Sequence, residues 1–403
     1  MAMIAVVVAA VLRLWGLSVR DRHQQLGLLR HLGSLQLAGA LGPAGDQTSG
    51  PGFGILAPVY AGLRHLLTAQ QSYDIASLVC IVPLAVATVA AVRSAGVPRR
   101  SAGELGAVSA VLVGIPVLAC YLEAFHPADV LATAATLGAF AASMRRRLGW
   151  AAVLLGFGLA TRQWVVAAIA VLAVVEEGQA RWTVAGGSLV VFGLLVLPFA
   201  ATDPSGTLAA LAARGTVRGG STLAGLLPLS DGGRYLLSRY LPLVAIAGLC
   251  WWLASHRLPR TPTVVLAALA IALSVRAAVD PAGFVYYAAP GYATVVLLVA
   301  RRPLRLGLAV GAGVLLYLRM ALHQRSTSIL FAEHGVTPLP ASDLRWPSVV
   351  WSTVATALLV APVAVGIGCL RAHGARRTDD RAADGGVATN ATSATGPRGA
   401  GDQ

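Results

Sequence analysis

The 403-residue chain contains no lysine, so all 31 of its basic residues are arginines. Charged residues of both signs together make up only 12% of the chain, whereas soluble globular proteins carry about 25%. Hydrophobic residues make up 56%, and the mean hydropathy is +0.71. This composition excludes an ordinary soluble domain and predicts an all-α, polytopic membrane protein.

Cysteine is also scarce, and its placement excludes a disulfide framework. The eight histidines form no HExxH motif and no cluster with cysteine, so the spacing that zinc ligands require is missing. We therefore expect no metal site and no cofactor. The four cysteines lie far apart in separate apolar runs, at Cys80, Cys120, Cys250 and Cys369.

The excess of positive charge, +14 at pH 7, does not indicate a nucleic-acid partner. The arginines are scattered through short segments between apolar runs and are not interleaved with aromatic residues, as a nucleic-acid-binding surface requires. Arginine at the ends of transmembrane helices is ordinary in membrane proteins. We expect membrane lipids, and no nucleic acid, among the partners.

Long apolar runs predict about twelve transmembrane helices. Two of these runs are short, which predicts either a hairpin that crosses only part of the membrane or a pair of tilted helices. The first run lacks the basic start and the cleavage site of a signal peptide, so we expect a retained span. The predicted spans are 2–17, 73–92, 105–124, 127–144, 149–161, 163–177, 182–200, 236–254, 261–279, 284–300, 303–321 and 347–370.

Arginine clusters fall in every second connection between the predicted spans. The positive-inside rule makes these connections cytoplasmic and places both termini in the cytoplasm. The clusters are Arg93/Arg99/Arg100, Arg145/Arg146/Arg147, Arg181, Arg257/Arg260, Arg301/Arg302/Arg305 and Arg371/Arg376/Arg377.

Ten of the 17 acidic residues map to the opposite side, in its connections or at the span ends beside them, and three of those connections are long loops, 18–72, 201–235 and 322–346. Three short polar segments lie on the same side, each at the end of an apolar run. Charged groups are costly to place in a membrane, so their gathering on one side predicts a functional site at the extracytoplasmic face. We call these segments the first, second and third polar islands: His126–Asp129, Thr161–Trp164 and Asp280–Tyr287.

The first long loop contains a leucine-rich stretch, Gln25–Leu41, in which apolar residues recur at helical spacing. This pattern predicts an amphipathic helix that lies on the membrane surface. Residues 371–403 are rich in Gly, Ala, Thr and Asp, which predicts a disordered cytoplasmic tail. We therefore expect two domains, a transmembrane domain over 1–370 and this tail.

Three segments resemble the motifs of a known class of enzyme. They are HPAD at 126–129, GFGLATRQW at 156–164 and RAAVDPAGFVYYAAP at 276–290. In order, spacing and expected sidedness they resemble GT-C type integral membrane glycosyltransferases. The pattern is most similar to glycosyltransferase family 87, the polyprenol-phosphate-mannose-dependent α-mannosyltransferases of actinobacteria.

The resemblance implies a GT-C-like fold and an inverting hexosyltransferase. Such an enzyme moves a sugar, here mannose, from a polyprenyl-phosphate donor to a lipid or glycan acceptor outside the cytoplasm. An aspartate just after the first span acts as the general base on the acceptor hydroxyl. Asp21 best matches that position, and Asp46 is the second candidate. Asp21 is equally explained as a solvated charge, and Asp46 as a turn former.

The resemblance also implies that the three islands bind the donor phosphate and sugar. Arg162 needs an anionic partner, for which phosphate, Glu123 and Asp129 are the candidates. Arg276 and Asp280 are four residues apart and would also form an ion pair on a helix. The aromatic residues suit either sugar stacking or an aromatic belt. The implied binding residues are His126, Asp129, Arg162, Gln163, Trp164, Arg276, Asp280, Tyr286 and Tyr287.

Departures from the family pattern keep other functions open. Gly54–Pro58 stands where the family has a Tyr-Pro-Pro segment, and Arg162 replaces the family's lysine. A catalytically degenerate membrane scaffold fits these departures, and a transporter or lipid flippase fits the number of spans. Transporters carry polar groups near the membrane midplane, whereas here polarity gathers at one face, which favours the glycosyltransferase.

Overall fold

The computed structural model describes residues 62–63, 65–68, 71, 75, 79–112, 127–202, 204–211, 227–279, 285–312 and 356–374. These residues are mostly helical, and no β-strand occurs among them. Apolar surroundings favour helices, because a helix satisfies its backbone N–H and C=O groups within one segment and needs no water to do so. The all-α prediction is confirmed for this part of the chain.

The described helices follow the predicted apolar runs closely. The run at 127–144 forms one helix with the same bounds, and the run at 261–279 forms a helix that begins one residue later. A 3₁₀ turn at Val285–Ala288 precedes the helix that begins at Ala289. The helices are α1 (Ile81–Ser94), α2 (Ala102–Leu112), α3 (Pro127–Met144), α4 (Leu148–Thr161), α5 (Val165–Val174), α6 (Gln179–Thr202), α7 (Pro204–Leu211), α8 (Asp231–His256), α9 (Pro262–Val279), α10 (Ala289–Val299), α11 (Pro303–Ala312) and α12 (Thr356–Gly374).

Four of the described helices are long and apolar enough to cross a membrane. This is the pattern of a membrane protein, although twelve spans go beyond what these four helices establish. The last of them runs four residues into the expected tail, so residues 371–374 are helical. The four segments are Gln179–Pro198 in α6, Gly232–His256 in α8, Pro262–Val279 in α9 and Thr356–Gly374 in α12.

The helices α4 and α5 are too short to cross a bilayer by themselves. With 14 and 10 residues they measure about 21 and 15 Å, against a hydrocarbon core of about 30 Å. Glu176, just beyond α5, contacts Arg146, just before α4. The two helices therefore run antiparallel as a short hairpin; partial crossing of the membrane and tilting both stay predictions.

The interior of the bundle is formed by α3, α5, α9 and α10, whereas α6 and α8 lie at its periphery. The short helix α5 contacts α3, α4, α6, α8 and α9, and 78% of the α9 span is buried. Only 17% of the α6 span and 11% of the α8 span are buried. Large apolar side chains such as Leu194 and Val244 are exposed on these two helices, as contact with lipid requires.

Small residues bring α4 and α6 close together. A Cβ atom on Gly156 would lie 2.5 Å from the carbonyl oxygen of Ser188 and 2.6 Å from Val191 Cβ. A Cβ atom on Gly187 would lie 2.9 Å from Ala152 Cβ. Small residues allow helix backbones to approach in membranes, so these two glycines set the distance between the helices.

The arginine-bearing turns meet at one end of the bundle, which we call the arginine end. Glu176, after α5, contacts Arg146 in the α3–α4 turn and Arg260 in the α8–α9 turn. α9 starts at this end and α10 returns to it. There the α10–α11 turn packs on the α1–α2 turn, because the Arg301 guanidinium lies against Gly96.

The described parts of the polar islands lie at the opposite end, which we call the island end. The connection 162–164 follows α4, which begins at the arginine end, and Asp129 at the start of α3 contacts Arg162. α9 also begins at the arginine end and packs beside α5. Its last turn, which carries Arg276, therefore reaches the island end.

Candidate functional site

Asp129 and Arg162 form a buried ion pair between α3 and the α4–α5 connection. Asp129 Oδ2 lies 2.8 Å from Arg162 Nη2, and the two side chains are 2% and 8% exposed. This contact joins the first polar island to the second. Of the partners that the sequence offered to Arg162, the structure shows Asp129, whereas Glu123 lies outside the described residues.

Trp164 also contacts the Asp129 carboxylate. Its indole Nε1 donates a hydrogen bond of 3.1 Å to Asp129 Oδ1, so each carboxylate oxygen faces a donor. The ring is partly buried against the hydrophobic core, which differs from the aromatic-belt position considered from the sequence. We call Asp129, Arg162 and Trp164 the Asp129 cluster.

The backbone of the α4–α5 connection turns Arg162 into the protein. α4 ends at Thr161, and Arg162 is extended, with φ −147° and ψ 127°, while its N–H donates to the carbonyl of Gly158. Helical backbone resumes at Trp164, at the start of α5. Gln163, at the tip between them, is exposed. The second island thus has a buried guanidinium, that of Arg162, and an exposed amide, that of Gln163.

Along α3, the Asp129 cluster and the arginine end are separated by less than the thickness of a hydrocarbon core. Asp129 and Ser143 are 14 residues apart on α3, which corresponds to about 21 Å along the helix. Ser143 contacts Glu176 at the arginine end. When the arginine end lies at the membrane interface, the cluster falls inside a hydrocarbon core of about 30 Å. A charge at that depth needs a partner, and the ion pair supplies one.

Arg276, in the last turn of α9, contacts an aromatic ring of the third island. Its guanidinium carbon lies 4.7 Å from the centroid of the Tyr287 ring, which is a cation–π geometry. Asp280, the ion-pair partner expected from the sequence, lies outside the described residues, as does the side chain of Tyr286. The Arg276–Asp280 pair therefore stays a prediction.

Both candidates for the general base lie outside the described residues. These are Asp21 and Asp46, and the same holds for His126 and for the amphipathic helix expected over 25–41. The base assignment and the surface helix stay predictions.

A second buried charge cluster, which the sequence did not predict, lies at the arginine end. Glu176 Oε1 lies 2.7 Å from Arg260 Nε and accepts a 3.0 Å hydrogen bond from Ser143 Oγ, and its Oε2 lies 3.1 Å from Arg146 Nη1. Glu176 is fully buried. Burial lowers the pKa of Arg260 below its ordinary value, although the Glu176 carboxylate acts to raise it. One carboxylate thus ties three interhelical turns together.

Glu104 forms a smaller cluster of the same kind beside the α1–α2 turn. It precedes the span expected at 105–124, lies 2.8 Å from Arg93 Nε, and accepts a hydrogen bond from the backbone N–H of Arg100. Burial raises the pKa of Glu104, but these two donors and the positive charges of Arg93 and Arg99 outweigh it, so the pKa lies below its ordinary value. Both charge clusters could have been found from the sequence, because Glu104 and Glu176 each lie close to arginine-bearing turns.

Exposed tryptophans mark the arginine end. Trp150, Trp182 and Trp251 are 65%, 71% and 74% exposed. They lie near the start of α4, the start of α6 and the end of α8, within about 10 Å of the arginine-bearing turns along each helix. Tryptophan beside arginine at one depth is typical of a membrane–water interface. The sequence indicated an aromatic belt only at the island end, as an alternative to sugar stacking.

The island end offers hydrogen-bond donors to an anion. Arg162 supplies a fixed guanidinium and Gln163 an exposed amide, whereas the single N–H of Trp164 is donated to Asp129. Among the residues that the structure describes, no three His, Cys, Asp or Glu side chains gather in a way that could hold a metal ion.

The sequence matches no protein-family model and has no significant match among curated proteins. The resemblance to glycosyltransferases thus depends on three short motifs, and a function must be argued from the residues and their contacts.

Proposed function

We propose that the chain is an inverting GT-C type glycosyltransferase that moves mannose from a polyprenyl-phosphate donor to a lipid or glycan acceptor. The observation that carries the proposal is the Asp129 cluster, in which two of the three family-like motifs contact each other. Chance similarity in two short segments would not require them to meet in space, so their contact supports a common site.

Arg162 is the residue that holds the donor phosphate. A guanidinium presents five N–H donors in a planar fork that fits phosphate oxygens. Asp129 fixes this fork at the island end, while Arg162 and the Trp164 N–H balance the charge of Asp129. We therefore assign Asp129 and Trp164 as positioning residues and Arg162 as a donor-binding residue.

Other groups at the island end suit the rest of the donor. Gln163, exposed at the hairpin tip, can hydrogen-bond a phosphate oxygen or a sugar hydroxyl. Arg276 and Tyr287 supply a further cation and ring at the same end of the bundle. His126, Asp280 and Tyr286 keep the donor-binding roles that the resemblance implies.

The reaction requires one bond to form and one to break at the anomeric carbon of the sugar. The acceptor hydroxyl oxygen attacks that carbon, the bond to the phosphate oxygen breaks, and the hydroxyl proton passes to the carboxylate of Asp21 or Asp46. Arg162 stabilises the negative charge that develops on the departing polyprenyl phosphate. Attack opposite to the leaving phosphate inverts the configuration of the sugar.

The topology that accompanies this function has about twelve spans, with both termini in the cytoplasm. It is supported by the gathering of the arginine-bearing turns at one end and by the exposed tryptophans beside them. The positive-inside rule assigns that end to the cytoplasm, so the island end is extracytoplasmic.

The full-length protein in detergent, supplied with polyprenyl-phosphate-[14C]mannose and membrane lipid acceptors, tests the proposal. Wild type is expected to transfer label, and R162Q should lose transfer by about a hundredfold together with donor binding. R162K keeps the charge that Asp129 needs but lacks the fork, so it should fold and bind donor weakly. R239Q, which removes an exposed arginine from α8, is the matched control and should keep activity.

Two results decide the assignment. A wild-type protein that neither transfers label nor binds the donor would refute the glycosyltransferase. Loss of transfer in D21N with retained donor binding, and normal transfer in D46N, would assign the base to Asp21, whereas the reverse pattern would assign it to Asp46.

A transporter or lipid flippase is the second candidate, favoured by the depth of the Asp129 cluster. Buried charges within the hydrocarbon core often line transport paths, and the cluster lies about 21 Å from the arginine end. Liposomes that contain the protein and lipid-linked [14C]mannose separate the two functions. Movement of the donor across the bilayer without transfer to an acceptor indicates a flippase.

A further inference from the structure

Three turns at the arginine end form one charged surface. Glu176 contacts Arg146 of the α3–α4 turn at 3.1 Å and Arg260 of the α8–α9 turn at 2.7 Å. Because Glu176 is fully buried, the turns are held together from beneath their exposed surface. We call the residues 145–147, 176–181 and 257–260 the arginine platform.

The arginine platform carries more positive charge than its own acids neutralise. It contains six arginines against Glu176 and Glu177, which leaves an excess of four positive charges. Arg145, Arg147 and Arg181 are exposed, and their guanidinium groups make no hydrogen bond or ion pair among the described residues. Three cations therefore face outward with donors available to an anion.

Two exposed tryptophans flank these cations. Trp150 follows Arg147 by three residues, and Trp182 directly follows Arg181. Both lie in the first turns of α4 and α6, which pack side by side. Indole rings prefer the depth at which lipid headgroups meet acyl chains, so they place the arginines at the level of the headgroups.

We propose that the arginine platform binds the phosphate headgroups of acidic phospholipids. The guanidinium fork matches two phosphate oxygens, and the excess charge favours an anionic headgroup over a zwitterionic one. The tryptophans favour a lipid over a soluble phosphate, because their rings need the apolar boundary that only a lipid supplies. This site lies at the opposite end of α3 from the Asp129 cluster and does not depend on transferase activity.

Native mass spectrometry of the full-length protein in detergent, titrated with phosphatidylglycerol or phosphatidylcholine, measures the binding. Wild type is expected to retain phosphatidylglycerol preferentially. Each arginine lost from the platform should weaken that binding about fivefold, so R145Q/R147Q/R181Q should weaken it about a hundredfold. The matched control, R302Q/R305Q/R371Q, removes three exposed arginines from other parts of the arginine end and should bind as wild type does.

Equal loss in the two triple variants would overturn the proposal, because net charge alone would then explain binding. Equal retention of the two lipids by wild type, or full competition by inorganic phosphate, would also overturn it. W150L/W182L provides a test that does not alter charge, and both rings are exposed, so folding should be kept. It should lose several-fold in phosphatidylglycerol binding, and unchanged binding would exclude the platform as a lipid site.

Discussion

Asp129 decides how the second polar island is arranged. Its two oxygens face Arg162 at 2.8 Å and Trp164 at 3.1 Å. Removing two charges from water costs free energy that only their mutual contact and further hydrogen bonds offset. Each member of the pair is therefore tolerated in the interior because the other is present.

We predict that D129N and R162Q each destabilise the protein by about 3–5 kcal/mol, because each leaves the opposite charge buried without its counterion. The double variant D129N/R162Q should lose about 1–3 kcal/mol less stability than the two single variants lose together. Unfolding in mixed micelles with increasing SDS measures both quantities. R276Q, which loses a cation–π contact, should cost only about 1 kcal/mol. Additive effects of D129N and R162Q would show that the two side chains act independently.

A second prediction at this scale concerns the pH dependence conferred by Glu104. Its pKa in the folded protein lies below the ordinary value of 4.5, so its contribution to stability is fully present above that value and is lost as the pH falls through the folded-state pKa. E104Q should be less stable than wild type at neutral pH, and the difference should shrink below pH 4.5.

Thermal unfolding midpoints across that range test the Glu104 prediction. E177Q, which removes an exposed acid from another turn of the arginine end, should follow wild type throughout. A difference between E104Q and wild type that stays constant with pH would contradict the assignment of the depressed pKa to Glu104.

At the scale of helices, the contact between α4 and α6 depends on glycine. The Cβ position of Gly156 lies 2.5 Å from a carbonyl oxygen of α6, and backbone atoms cannot move aside as a flexible side chain can. Gly193, on α6, has no atom within 4 Å of its Cβ position. The two glycines therefore allow the same substitution to be compared with and without a close helix neighbour.

We predict that G156A destabilises the protein by about 1–3 kcal/mol, because the added methyl group forces the helices apart. G193A should instead be neutral or stabilising by up to about 1 kcal/mol, since alanine has the higher helix propensity. The same SDS unfolding experiment measures both variants. A G156A variant as stable as G193A would mean that the α4–α6 crossing is looser than the structure shows.

Helix positions followed from the sequence, whereas helix ends depended on side-chain contacts. The apolar run at 163–177 predicted a helix of that length, but α5 covers only Val165–Val174. At one end Trp164 turns toward Asp129, and at the other Glu176 turns toward the arginine-bearing turns. Hydropathy predicts where a helix can form. It does not predict which polar contacts, such as those of Trp164 and Glu176, end the helix.

For the whole molecule, the separation of the two ends is the main organising feature. Short turns alternate the direction of successive described helices, so the arginine-bearing turns gather at one end and the described parts of the islands at the other. The buried Glu176 holds three of the former turns together. This separation gives the molecule a sidedness that can be measured.

We predict that a cysteine introduced at Arg181 is labelled by a membrane-impermeant maleimide only after cells are permeabilised, whereas one introduced at Gly232 is labelled in intact cells. Both positions are exposed, one at the start of α6 and the other at the start of α8, and the background variant lacks the four native cysteines. Labelling of both sites after solubilisation is the control. The reverse pattern would place the islands in the cytoplasm and exclude an extracytoplasmic site.

How far the candidate site could be predicted is shown by Arg162 and Trp164. The sequence indicated that Arg162 needed a partner and gave Asp129 as one of three candidates, and the structure shows that contact. It left sugar stacking and an aromatic belt open for Trp164, whose ring packs inward and donates to Asp129. Burial of a ring depends on which helices surround it, and that information is not local.

The sequence by itself determined the class of the protein, the positions of the helices that the structure describes and the alternation of arginine along the chain, because hydropathy and charge act over one helix at a time. Only the tertiary structure decided which charges meet, how deep they lie and which tryptophans stay exposed. Asp129 and Trp164 are 35 residues apart, and Ser143 and Arg260 are 117 residues apart. Contacts over such separations depend on how helices pack, since a buried charge takes the partner that packing brings within reach.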